Sequence, residues 1–427
     1  MSLKFFGLAL AMALPFAHAQ AQSDPCGGTI EGGEVLSLAR ATELAFAADR
    51  RPDLATAEVR AARTERAIAA LRPADSLSLE IEDFPGTGLA SNIDSLQVTG
   101  SFSRVWERGG KRVARVALAN SGVGVAEARI AMAQFDIREE VETLYAEAAI
   151  AERRVALACD RVVISRDLES AIQKRVDAAR DPLLAGARAS SDRLQAEADA
   201  RRYSVQASNL RAALGAYWQA GSDFHIEPAF LDARLSPRPV DLSALNSPSL
   251  DRLDAQRMQS AARIELERSQ AIPDITWRVG VRKFGIEDDV AVIGGASIPL
   301  GSAGRSDAAV ARAQADRRRI DTEREVLQQQ LLRTAVTYQR SAMSALDQIE
   351  AIDAILLPAA TEAVEFAREG YARGAFSYLE IIDAQRSVAA LREEHLAHLR
   401  TYILNEAALA RLTLSVDLPE TRKDTPQ

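Results

Sequence analysis

The chain has 427 residues, a formal net charge of −8, 26% charged residues and only 5% aromatics. An acidic balance with no basic block excludes a global field for holding nucleic acid. Long stretches of Ala, Arg, Glu, Gln and Leu without Gly or Pro are the composition of long helices rather than of compact mixed domains. The arginines are interleaved with Glu and Asp, as on a solvated helix face.

In chain order, Lys4 precedes an apolar run from Phe5 to Phe16, and small residues follow at Ala17, Ala19 and Ala21. These features predict a secretory signal peptide over residues 1–21. Its apolar run is too short to cross a bilayer as a retained helix. No later segment has the length and hydropathy of a transmembrane helix. Entry into a membrane would therefore have to be by strands.

The remainder is written twice, at an offset of about 195 to 200 residues. The first repeat is placed at 22–220 and the second at 248–413, with a Pro-rich connector of little regular structure at 221–247 and a tail at 414–427. Each repeat opens with an amphipathic helical segment. The first covers Leu36 to Leu71, with a start signal at Arg51-Pro52-Asp53-Leu54, and the second runs from Ser247-Pro248-Ser249-Leu250 to Ile272-Pro273. Strand pairs follow near 76–83 and 95–104, and near 274–283 and 290–299. Leu77, Leu79 and Ile81 alternate with Ser76, Ser78, Glu80 and Glu82, and Ile275, Trp277, Val279 and Val281 alternate with polar residues. Such alternation gives a strand one oily and one wet face. A membrane barrel needs this pattern, and a soluble sheet packed on one face also shows it. Four strands cannot close a membrane barrel, so several chains would have to pool them.

Long helices come next. From Lys111 to about Arg180 there is no Pro, and Ile137, Val141, Leu144, Ala148, Ala151 and Val155 recur at steps of three and four. This is a coiled-coil seam on a helix on the order of 100 Å long. Ser306 to Leu357 predicts a similar helix in the second repeat. A periplasmic coiled-coil scaffold would explain the helices, but not the signal peptide or the alternating strands.

This layout resembles the TolC family of outer-membrane factors over essentially the whole mature chain. The resemblance implies a mainly α fold with a small β part, whose long antiparallel helices form a periplasmic α-barrel. Four strands per chain would enter a trimeric 12-stranded outer-membrane β-barrel. The best match is Tyr371-Ala-Arg-Gly374-Ala-Phe376-Ser-Tyr-Leu-Glu380-Ile-Ile-Asp383. By resemblance, Tyr371, Glu380 and Asp383 are candidates for the periplasmic aperture, with Asp192 as the matching acid of the first repeat. Phe376 stands where the family commonly has an Arg that partners the tyrosine. Glu380 and Asp383 share a helix face, and three copies would ring a lumen with carboxylates, which favours cations. Pro182, Leu183, Gly374 and Ala375 are the candidate adaptor-docking tips.

A second likeness points to the cobalt–zinc–cadmium efflux branch. It is carried by Glu82-Asp83-Phe84-Pro85-Gly86-Thr87-Gly88 and by Trp106-Glu107-Arg108-Gly109-Gly110-Lys111-Arg112. Gly109, Gly110, Lys111 and Arg112 read as a strand-to-helix turn whose glycines can take positive φ. They do not form a phosphate loop, because the upstream glycine and the Ser or Thr after Lys are missing.

Chemistry for catalysis is not found. There are four histidines. His395 and His398 share a helix face but lie near an apolar stripe, which fits packed or lumen-lining side chains better than a metal site. No nucleophile elbow, zincin helix or nucleotide loop occurs, so neither an enzyme nor a cofactor is expected. The two cysteines, Cys26 and Cys159, are expected to pair in an oxidising compartment. With the first helix antiparallel to the one starting near Gly110, residue 36 falls opposite about residue 146. The extended stretch from Cys26 then reaches about 30 Å, enough to meet Cys159.

The expectation is a passive, homotrimeric exit duct in the outer-membrane lipid. It would work with a periplasmic adaptor and an inner-membrane pump, favouring divalent metal cations, with drugs or secreted proteins as the alternative cargo and no nucleic acid as partner.

Overall fold

The computed structural model describes residues 26, 34–83, 86–88, 95–232, 245, 247–285 and 289–413. The expected signal peptide, the C-terminal tail, Phe84, Pro85 and residues 233–244 and 246 of the connector lie outside these residues. The chain divides into two compact units. One combines the residues up to Glu34 with Ala151–Ser208, and the other combines Val35–Ile150 with the rest from Asn209.

In the larger unit, β1 (Glu34–Leu36) precedes α1 (Leu38–Ala48) and α2 (Arg51–Ala69). The single helix expected over Leu36–Leu71 is thus a strand and two helices. Asp49 leaves the helix with extended backbone and its carboxylate accepts from Arg51 N at 2.8 Å, while Pro52 suits only a helix's first turn. Helix α2 runs antiparallel along the start of α3 (Lys111–Asp177). Arg51 pairs with Glu140, Glu58 with Arg129 and Arg63 with Glu127, in descending order along α3. Near the register expected for residue 36, the Tyr145 hydroxyl donates to the Leu36 carbonyl at 2.7 Å.

The first part of the connector, residues 221–232, contains regular structure that its composition does not predict. Phe224–Ile226 forms β4, which pairs with β1, and Ala229–Asp232 forms the short helix α5. Three-residue strands carry too little alternation to register as a pattern. The buried Tyr145 meets the Phe230 ring edge-on at 4.8 Å, and Ile137, Val141 and Ala148 of the expected seam are buried beside it. Leu144 sits at the edge of that seam, half-exposed.

The strands β2 (Ser76–Glu82), β3 (Gln97–Trp106), β5 (Ile275–Phe284) and β6 (Asp289–Ser297) form one antiparallel sheet in the order β2-β3-β5-β6. Two strands come from each half of the sequence. Before β5 stands α6 (Pro248–Ser269), capped by Ser247, whose Oγ accepts from Ser249 N at 3.3 Å.

After β6 comes α7 (Ser302–Ala351), then a π-helical turn (Ile352–Leu356) that leads directly into α8 (Leu357–Ala372). The sequence predicts a stop at Leu357, ahead of Pro358; the structure carries the helix through. Pro358 has no N–H and would clash with the carbonyl four residues back, and widening the preceding turn relieves that clash. Helix α9 (Tyr378–Thr413) packs against α7 and α8. Its Arg400 and Arg411 pair with Glu147 and Glu139 of α3.

In the smaller unit, the last part of α3 and the first part of α4 (Leu183–Gly215) make a helical hairpin. Cys26 is joined to Cys159 by a disulfide, with Cα atoms 5.3 Å apart.

Candidate functional site

The sheet divides its residues by face. Registers Ser76↔Ser103, Ser78↔Ser101, Glu80↔Thr99 and Glu82↔Gln97 put polar side chains opposite one another, and Thr99↔Arg282 extends this face to β5. Here Arg282 is fixed by three acceptors: Thr99 Oγ1 at 2.9 Å, Gln97 at 3.1 Å and Glu82 at 2.9 Å. The serine pairs bond at 2.7 and 2.8 Å. The opposite face carries Leu77, Leu79, Ile81, Phe102, Val279, Val281, Val290 and Val292. It is not covered: Leu77 is 84%, Leu79 71% and Val292 80% exposed. A soluble sheet buries its oily face on a core, whereas here the oily face is left uncovered and the buried positions, Thr99 and Ser101, lie on the polar one. Towards the helices, Arg104 pairs with Asp75 at 2.7 Å on this outer side, between the exposed Trp106 and Trp277.

The strand-to-helix turn is built by packing. Gly109 and Gly110 both have positive φ, and a Cβ on Gly109 would lie 2.9 Å from Ile272 Cβ and from the Ser269 carbonyl. Asp274 draws the turn together, accepting from Arg108 N at 3.0 Å and from Lys111 Nζ at 2.8 Å. Arg112 is exposed beside it. The upstream loop is tied in similar fashion, with Gln97 donating to Asp83 at 2.7 Å.

The turn after α8 holds the candidate aperture residues. Helix α8 closes with Gly374 N on the Tyr371 carbonyl at 3.0 Å and Ala375 N on the Gly370 carbonyl at 2.8 Å, with Gly374 at φ +78°. This is a Schellman closure, and its left-handed residue is glycine as the geometry prefers. The Phe376 ring lies on Gly370, leaving no room for a Cβ there. Helix α9 then starts on Ser377, whose Oγ accepts from Leu379 N at 3.2 Å and donates to the Glu380 carboxylate. Ser377-x-x-Glu380 is a capping box, a signal legible in the sequence that the reading by resemblance missed. The Ser377 hydroxyl, followed by backbone N–H groups at the helix start, holds the Glu380 carboxyl below its ordinary range.

Glu380 and Asp383 both lie exposed, and Asp383 has no ion-pair partner among the described residues. Tyr371 is buried, as are Tyr378, Ile381 and Ile382. In the single chain the tyrosine therefore packs within its own hairpin.

The first hairpin closes by the same motif. Ala179 N reaches the Val176 carbonyl at 2.9 Å and Arg180 N the Arg175 carbonyl at 2.8 Å, with Ala179 at φ +54°. The turn is short, with α4 starting at Leu183. Arg175 ties Asp181 at 3.0 Å, and Pro182 and Leu183 stand exposed. Registering Ala179 on Gly374 puts Ala185 and Arg188 where the other hairpin has Glu380 and Asp383. Asp192 falls instead on Ser387. Its side chain is 12% exposed, 3.8 Å from Arg161, and accepts from Ser165 at 3.4 Å. Asp192 thus contributes an ion pair and a hydrogen bond within its own hairpin. Elsewhere, His395 lies 3.3 Å from Asp353 of the π-turn, and His398 3.7 Å from Glu394.

The described residues are mainly helical, with one four-stranded antiparallel sheet exposed on its oily face. Residues 240–413 match the outer membrane efflux protein family. The chain is 28% identical over 310 residues to the cobalt-zinc-cadmium resistance protein CzcC of Cupriavidus metallidurans, covering 69% of this chain and 72% of that one. It is 29% identical over 233 residues to the nickel-cobalt-cadmium resistance protein NccC of Alcaligenes xylosoxydans xylosoxydans, covering 53% of each. Among solved structures, CusC superimposes with a TM-score of 0.73 at 18% identity, over 88% of this chain and 91% of that one. The outer membrane protein VceC of Vibrio cholerae gives 0.69 at 19%, over 88% and 96%. The chain is thus similar to outer membrane efflux proteins over residues 240–413 and to cobalt-zinc-cadmium and nickel-cobalt-cadmium resistance proteins, and it shares the fold of solved outer-membrane channels.

Proposed function

We propose that this chain is one subunit of an outer-membrane exit duct, a passive homotrimer through which a pump and its periplasmic adaptor expel divalent heavy-metal cations. The observation that carries this reading is the sheet, oily and exposed on one face and hydrogen-bonded and polar on the other. Its edges, β2 and β6, have no further strand partner among the described residues. Open edges are not tolerated in lipid. Copies must then join edge to edge, and three chains would supply 12 strands. The apolar face would meet the acyl chains and the Arg282 face the water-filled lumen.

The metal cargo is supported by the named resistance relatives and by Glu380 and Asp383, whose exposed carboxylates would attract cations at a narrow aperture. The helical turns at Pro182–Leu183 and Gly374–Ala375 are the proposed adaptor contacts. The duct acts as a transporter rather than an enzyme and needs no resident cofactor. Deleting the gene tests cargo. Expected is a lower survival limit in cobalt, zinc, cadmium or nickel with drug tolerance retained; drug sensitivity with normal metal tolerance would overturn the metal reading. Fractionation tests the duct itself, since a periplasmic scaffold would stay soluble without detergent.

A further inference from the structure

The two helical hairpins carry the same closing motif but are packed very differently. Along the second hairpin, alanines such as Ala342, Ala345 and Ala367 are buried together with many large side chains, among them Ile349, Ile352, Ile382, Leu396, Leu399 and Tyr402. Along the first hairpin they are mostly methyl groups, with Ala158, Ala189, Ala196 and Ala200 buried beside Ser165, and with Val162 and Ile172 as the larger apolar side chains. Burial stabilises in proportion to the apolar area removed from water, so an alanine seam holds two helices weakly. The disulfide lies on this seam. Cys26, Cys159 and Tyr203 pack on the cluster formed by Ala158 and Val162 of α3 with Ala196 and Ala200 of α4. Arg154 and Arg202 lie over the Tyr203 ring at 5.4 and 4.9 Å. Both cysteines are only half-buried, so reagents can reach the bond.

We propose that Cys26–Cys159 is a modification site that completes the first hairpin: a covalent clasp installed by thiol–disulfide exchange with a protein oxidant. It would make this hairpin, but not the second, redox-sensitive. The thiolate of one cysteine attacks the oxidant's disulfide, forming a mixed disulfide and expelling one oxidant sulfur as a thiol. The second thiolate then attacks the chain's own sulfur of that mixed bond, closing Cys26–Cys159 and expelling the other. Two electrons and the two thiol protons end on the oxidant, which leaves as a dithiol. Closure across 133 residues restrains the unfolded chain. Folded, it keeps Cys26 pressed over the seam as additional apolar contact.

The test is hydrogen exchange on the full-length protein in detergent, before and after mild reduction, alongside the Cys26→Ser/Cys159→Ser double variant. Expected is at least a tenfold rise in amide exchange over residues 158–200 on reduction, with 345–403 unchanged. The double variant should match the reduced protein and ignore reductant. Trapping thiols during lysis should find none in cells with the oxidant and two in cells lacking it. Unchanged exchange over 158–200, equal loosening of both hairpins, or an acyl chain on Cys26 would each overturn the proposal. None of these readouts depends on cargo or transport.

Discussion

At the scale of single residues, two turns differ by one methyl group. Gly374 and Ala179 occupy the same left-handed position of the same closure. An L-residue there costs about 1–2 kcal/mol, which glycine avoids. Ala179→Gly is therefore expected to stabilise the first hairpin by about 0.5–1 kcal/mol, and Gly374→Ala to destabilise the second by a similar amount. Thermal unfolding followed by local hydrogen exchange would check both. At Glu380, structure and proposed function can be separated. Glutamine retains the capping-box geometry without the charge, whereas alanine removes both. Glu380→Gln and Asp383→Asn should each reduce cation-over-anion selectivity in planar bilayers with protection of the α9 start unchanged, while Glu380→Ala should lose both. Unaltered selectivity in Glu380→Gln/Asp383→Asn would remove the acidic pair from the aperture.

At the scale of elements, the sheet gives the sharpest contrast. Val292 and Ala291 are neighbours on β6 but point to opposite faces, since Ala291 registers with Arg282 and Val292 with Val281. In lipid, Val292→Arg should cost about 2–4 kcal/mol near the bilayer midplane, while Ala291→Arg would face the lumen and be tolerated. Outer-membrane recovery of the two variants measures this; equal recovery would count against a membrane-spanning sheet.

A second element-level prediction concerns the junction of α2 with α3. Arg51 donates to Glu140 at 2.7 Å and to Asp49 at 2.8 Å, and the Tyr217 hydroxyl donates to Glu140 at 2.7 Å. The Arg51 bond, which outweighs partial burial, holds the Glu140 carboxyl below its ordinary value of 4.5. Burial and this same carboxylate push Tyr217 up to about 12. A depressed carboxyl stabilises above the unfolded value, and that stabilisation fades as pH falls through the folded one. Stability should therefore decline below about pH 4.5, and Glu140→Gln should be less stable at neutral pH with a shallower acid decline. Acid unfolding monitored by circular dichroism would show it.

At the scale of the whole molecule, two sheet edges and an apolar face are left without a partner among the described residues of a single chain. Native mass spectrometry of the detergent-extracted protein should find a trimer, and a monomer would contradict the pooled barrel.

How much was legible beforehand follows pattern length. The long helices and ten-residue strands announce themselves, because period 3.6 and period 2 repeat enough times to be read. Cys26 and Cys159 could be paired in advance, since two antiparallel helices fix which residues stand abreast. Short or strained pieces were not legible: the three-residue strands β1 and β4, the π-turn before Pro358 and the left-handed Ala179. Each has too few residues for a period, or a conformation that its residue type does not favour. The candidate acids were legible as a pair at a turn. What Glu380 bonds, and that Asp192 pairs with Arg161, depends on which helix face meets which. By itself, then, the sequence determined the repeated helix–strand plan, because periodicity and the glycine turns are local properties of the chain. Only the tertiary structure decided that the oily face stays uncovered, that one hairpin rests on alanines under a disulfide, and that the two turns are not equivalent, because burial depends on residues far apart in sequence.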